Sequence, residues 1–111
     1  MTSPDLDAAR AATPHCTGLA LFQGSPLELV AQSGEPSASG LADWGQIGEA
    51  VPALLYEGPT VTSEVLVRLP NALLLVAERV GGVVAVVIDL QRAGLGVSLV
   101  HARVAASRVG G

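Results

Sequence analysis

The run Val83-Val84-Ala85-Val86-Val87-Ile88 constrains this chain more than any other stretch. It is almost wholly β-branched, and its length suits a strand better than a helix. A strand that is apolar at every position has no face to offer water. It therefore belongs in a sheet covered on both sides. The flanking sequence supplies that sheet. Glu64–Leu69 and Leu73–Val80 read as two further strands, and the apolar run itself extends over Val83–Leu90. Pro70-Asn71 and Gly81-Gly82 interrupt the apolar pattern where tight turns are needed. Two glycines can take positive φ at both central positions of a two-residue hairpin.

Leu95–Ser107 then reads as a closing helix with two apolar stripes. Leu95, Leu99, Ala102 and Ala106 form one; Val97, Val100 and Val104 form the other. One stripe is expected on the sheet. The second should meet another helix or a partner.

The N-terminal half carries the remaining elements. Ser3-Pro4-Asp5 is a good helix start, with Ser3 as cap and Pro4 at the first helical position. Asp5–Ala12 forms the helix, and Thr13-Pro14 stops it, because a residue before proline is pushed out of the α region. Thr17–Gln23 and Leu27–Gln32 read as a hairpin around Gln23-Gly24-Ser25-Pro26, and Ser33 to Ser37 ends its second strand. Asp43-Trp44-Gly45-Gln46 has capping-box spacing. Trp44, Ile47, Val51 and Leu55 follow it on one helical face. That helix is intrinsically weak. Gly45 and Gly48 each cost about 1 kcal/mol relative to Ala, and Pro52 is expected to kink or end it. Gly45, Gly48 and Pro52 line one flank. Two readings stay open: a weak helix held by packing, or a small-residue flank that another backbone approaches.

Bulk properties narrow the function classes. A chain of 111 residues is one domain, 1–111, by the usual size prior. Half of the residues are hydrophobic but only 3% are aromatic, so the core must be built from small aliphatic side chains. The net charge is −4 and the six cations are all Arg, scattered along the chain, which argues against nucleic-acid binding. No apolar run reaches the length of a membrane span, and the N-terminus lacks a signal-peptide pattern, so a cytoplasmic protein is expected.

Catalytic and metal chemistry find no support in the residues. Cys16 is the only cysteine, adjacent to His15 and far in sequence from His101. Neither a third ligand nor an orienting carboxylate accompanies them. Gly94-Leu95-Gly96 opens a helix, but there is no phosphate-loop motif and no Lys. Arg68, Arg79, Arg92, Arg103 and Arg108 could each serve as an inserted Arg finger, with solvated charge as the default. The terminal Gly110-Gly111 follows a helix rather than the strand that precedes the tail of a ubiquitin-like sulfur carrier. The expectation is no enzyme, no cofactor and no metal.

The order helix, two strands, helix, three strands, helix resembles the roadblock / dynein light-chain family, a profilin-like fold. The closest local match is Val84-Ala85-Val86-Val87-Ile88-Asp89, then Arg92-Ala93-Gly94-Leu95-Gly96-Val97, then an Ala/Val/Arg helix. Ala93, Leu95 and Gly96 fit the family's strand–loop–helix junction, and Gly94 replaces its usual Asn. The chain departs from the family in its Gly- and Pro-rich second helix and in its short first helix. The resemblance implies an α+β fold: a five-stranded, mostly antiparallel sheet with helices on both faces, in the order α-β-β-α-β-β-β-α. It further implies a homodimer that regulates or scaffolds a small Ras-like GTPase, similar to the gliding-motility type, or a module of a sensor-kinase operon.

In that family the dimer forms through the second helix and the strand after it. Trp44, Gly45 and Gly48 are the corresponding helix residues here. The strand residues are Glu64, Val65, Leu66, Val67 and Arg68, which are palindromic in charge. Two copies paired antiparallel about Leu66 would set Glu64 opposite Arg68 twice, the self-complementarity of a two-fold interface. Arg68→Glu is expected to weaken such a dimer and a compensating Glu64→Arg to restore it, as read by sedimentation over a concentration series.

Overall fold

A computed structural model describes residues 4–36, 43–56, 63–79, 82–91 and 94–110. Three helices are present: α1 (Pro4–Ala12), α2 (Trp44–Leu55) and α3 (Leu95–Gly110). The strands are β1 (Cys16–Gln23), β2 (Glu28–Gly34), β3 (Glu64–Arg68), β4 (Ala72–Arg79) and β5 (Gly82–Asp89). All strand pairs are antiparallel, in the order β2-β1-β5-β4-β3. The apolar run thus lies in the middle strand. Val83 through Ile88 are at most 2% exposed, and fully burying such a side chain stabilises the fold by about 1.5–3 kcal/mol.

Alternation along β5 divides the core. Val84, Val86 and Ile88 join Leu19, Leu73 and Leu75 beneath α1 and α3. Val83, Ala85 and Val87 join Phe22, Leu74 and Val76 beneath α2. The three helices therefore cover both faces, as the composition of β5 demands.

Local chemistry places each helix. The Asp43 side chain caps α2 by accepting the Gln46 N–H at 2.9 Å. Trp44, Ile47, Val51 and Leu55 are all buried on the sheet. Pro52 does not end α2, which continues to Leu55. A proline this close to a helix end removes one backbone bond, and Val51 and Leu55 on either side of it are fully buried. The last turn closes through the Tyr56 N–H, donated to the Pro52 carbonyl at 2.8 Å. On the other face, Leu6 and Ala9 seat α1. The Arg10 Nε–H, donated to Ser33 Oγ at 2.6 Å, ties α1 to β2. The capping role read for Ser3 lies outside the described residues.

Several boundaries differ from the sequence reading. The strand β2 runs on through Ser33 and Gly34, because Gly34 pairs with Gly18 at the start of the hairpin register. The hairpin between β4 and β5 is offset by one residue. Arg79 pairs with Gly82, so Gly82 belongs to the strand, and Val80 and Gly81, which connect the two, lie outside the described residues. Gly82 has φ +139°, and a Cβ there would stand 2.2 Å from the Phe22 carbonyl oxygen. Glycine is needed here for close approach of β1 as well as for the backbone angle. The helix α3 extends past Ser107 to Gly110, with Val109 packed on the core.

Gly82→Ala is expected to lower unfolding stability by more than about 2 kcal/mol. Gly96→Ala, in a helical position where nothing lies within 4 Å of the added Cβ, is expected to raise it by up to about 1 kcal/mol. Urea unfolding of the two variants checks both signs.

Candidate functional site

The strand β3 ends the sheet and pairs with β4 alone among the described residues. Its side chains alternate between the two faces. Val65 and Val67 pack partly buried against the α2-side core. Glu64, Leu66 and Arg68 face α3. The Arg103 Nε–H of α3 is donated to Glu64 Oε1 at 2.8 Å. With the two side chains 52% and 25% exposed, this bridge is worth under about 1 kcal/mol. Arg68 is exposed and makes no ion pair among the described residues. Leu66 is 39% exposed, large for an aliphatic side chain on a sheet.

The three α2 residues have different surroundings. Trp44 is 3% exposed. Its indole N–H is donated to the Gly34 carbonyl at 3.1 Å, and its ring occupies the space where a side chain on Gly18 would lie. A Cβ on Gly48 would stand 2.7 Å from the Phe22 ring. The close approach that Gly48 permits is thus made by this chain's own β1. Gly45 faces solvent. Of the eight residues, five lie together on β3, Trp44 and Gly48 lie inside the α2–sheet contact, and Gly45 lies on the open flank of α2.

An apolar groove of about 300 Å³ adjoins β3. Leu66, Leu73, Leu95, Gly96 and Leu99 line it, with Arg68 as the one ionisable lining residue among those described. Leu95 is 46% exposed, so the first turn of α3 overhangs the sheet instead of packing on it. The sequence reading grouped Leu95 with Leu99, Ala102 and Ala106 in one stripe and left open which stripe meets the sheet. It is the Leu95 stripe that does so, through Leu99, Ala102 and Ala106, with Ser98 and Ala105 completing it. Val97, Val100 and Val104 form the second stripe as read, and all three are exposed.

The remaining candidates separate. Among the described residues no group of three or more His, Cys, Asp or Glu side chains could hold a metal ion. Cys16 is partly buried, as a small thiol entering the first strand should be, and burial pushes its pKa up from 9.0 to about 11. A hydrogen bond with the Gly18 backbone and the charge of Arg10 lower it by less. His101 lines a shallow groove with Pro14 and Arg108, and its Nδ1 is buried without a partner. The Arg79 side chain donates to the Glu78 carbonyl, and Arg92 lies outside the described residues. The sequence reading missed one contact that its own residues contain. The Tyr56 hydroxyl donates to Glu78 Oε2 at 2.5 Å, which raises its pKa. Nothing in the sequence spacing links Tyr56, at the end of α2, to Glu78, near the end of β4, because the packing of α2 on the sheet brings them together.

No protein-family model and no curated protein matches the chain. Solved structures do. A Roadblock/LC7 domain from Streptomyces avermitilis is 16% identical, with a TM-score of 0.64 over 98% of this chain and 95% of that one. MglB from Myxococcus xanthus is 14% identical, with a TM-score of 0.65 over 96% of this chain and 93% of that one. This chain has the Roadblock/LC7 fold. In this roadblock sheet β3 is the terminal strand, the position at which a second sheet could be added. No helix among the described residues of this chain is long and apolar enough to cross a membrane.

Burial of the Cys16 thiol sets a pH dependence. The folded state favours the protonated thiol, so its contribution to stability is complete below pH 9.0 and is lost as pH rises toward about 11. Unfolding stability should fall over that interval, and less steeply in Cys16→Ser. Urea titrations from pH 8 upward, with Cys16→Ser as reference, measure the difference.

Proposed function

We propose that this chain is a non-enzymatic, homodimeric regulator or scaffold of a small Ras-like GTPase, acting in the cytoplasm as a single roadblock-like unit over residues 1–111. The observation that carries this reading is the likeness to MglB over 96% of the chain. MglB is a gliding-motility GTPase regulator. The terminal position of β3 and its charge pattern supply the means of self-association. Addition of a second β3 antiparallel about Leu66 would join two sheets into one and cover both edges.

The arrangement of Glu64 refines that interface. Glu64 is already held by Arg103, so in the dimer it would sit between Arg103 of its own chain and Arg68 of the second copy. The pair becomes a three-member network. Val65 and Val67 would meet their counterparts on the α2 side. Trp44 and Gly48 act by fixing α2 on the sheet, and Gly45 leaves an open flank for the neighbouring helix. Charge reversal at Glu64 alone would then set two arginines side by side with Arg103. In this setting Arg68→Glu weakens the dimer and Glu64→Arg restores it only in part. Adding Arg103→Glu completes the rescue. A sedimentation series on the three variants tests this, and an unaltered dimer in Arg68→Glu rules out the register.

The partner is tested by capture of the tagged protein from lysate of its own organism, with GDP and with a non-hydrolysable GTP analogue in parallel. The expected outcome is a small GTPase enriched in one nucleotide state. Recovery independent of nucleotide removes the regulatory reading.

A second reading, a small-molecule-sensing module of a sensor-kinase operon, is favoured by one observation: the apolar groove between β3 and α3.

A further inference from the structure

The groove beside β3 combines three properties. Its walls are aliphatic: Leu66 and Leu73 from the sheet, Leu95 and Leu99 from α3. Its volume, about 300 Å³, is at the lower end of small-ligand sites. Its single ionisable lining residue among those described is a cation.

That cation has no ion-pair partner among the described residues. The strand β3 has two charged residues on the α3 face. Glu64 is bound by Arg103. Arg68 is exposed and has no ion pair among the described residues. A guanidinium holds a carboxylate through paired, charge-assisted hydrogen bonds. Placed at the mouth of an aliphatic groove, it selects molecules that carry an anionic head and an alkyl tail. The helix α3, which forms the other wall, has no Asp or Glu to repel such a head.

We infer that this groove binds an amphipathic carboxylate, its alkyl chain lying between Leu66, Leu95 and Leu99 and its carboxylate on Arg68. This names a ligand class for the sensing reading, on which it rests, and competes for Arg68 with the β3–β3 dimer of the GTPase reading. The competing occupant of Arg68 is Glu64 of a second copy, and the experiment separates the two.

The test is methyl NMR with leucine-labelled protein, titrated with decanoate and with n-decanol below their aggregation concentrations. The leucine methyls of residues 66, 95 and 99 should shift saturably with decanoate, and decanol should bind about tenfold more weakly. Arg68→Gln should remove that preference while leaving decanol binding intact. Gly96→Leu, at an open position on the groove wall, should abolish both. Equal affinity for acid and alcohol in the unaltered protein overturns the ligand class but leaves the groove as a site. Failure of both ligands to shift these methyls overturns the site and the sensing reading with it. Decanoate binding that disappears as protein concentration rises and the dimer forms assigns Arg68 to the second copy and overturns the proposal.

Discussion

Everything in this structure depends on one strand being apolar on both faces. The six residues from Val83 to Ile88 have no polar side to turn outward, so the sheet around them needs a layer of helix above and below. That requirement fixes the roles of the helices. α1 and α3 share one face and α2 takes the other. It also places the most polar strands at the edges. β2 and β3 each have one open side, and exposed or half-buried residues fall there.

The α2 side shows how a weak helix is kept. Gly45, Gly48 and Pro52 all disfavour the helical state, yet the helix runs its full length. Its stability comes from contact. The Phe22 ring lies against the Cβ-free Gly48, and Trp44 lies over Gly18 with its indole bonded to Gly34. Two of the few aromatic residues are thus spent on joining one helix to one sheet. This packing decides between the two readings that the glycine pattern left open for Gly48. It also makes α2 a rigid support beside β3.

The other side of β3 has a different character. There Leu66, Leu95 and Leu99 leave an open groove, and among the described residues Glu64 has an ion pair while Arg68 has none. An edge strand with such a border is suited to a partner in two ways, by backbone pairing along its rim and by apolar contact across its face. The self-complementary charges of Glu64 and Arg68 were legible in the linear sequence. The groove was not, because Leu66 and Leu95 come from elements far apart in the chain and meet only when α3 folds across the sheet.

Local chemistry in the sequence determined the element types, their order and the need for two helical layers. β-branched runs, proline stops and the Asp43 cap act over a few residues, and their effect does not depend on the rest of the fold. The apolar residues of the buried face of α2 were legible too, since helical period and apolar pattern agree there, but the burial of Gly48 was not. Only the tertiary structure decided the one-residue offset of the β4–β5 hairpin, which follows from the approach of the Phe22 carbonyl to Gly82. It likewise decided that Pro52 is tolerated, that Leu95 is exposed, and that Glu64 belongs to Arg103. Each of these depends on which distant atoms lie alongside, and the packing of sheet against helix settles that.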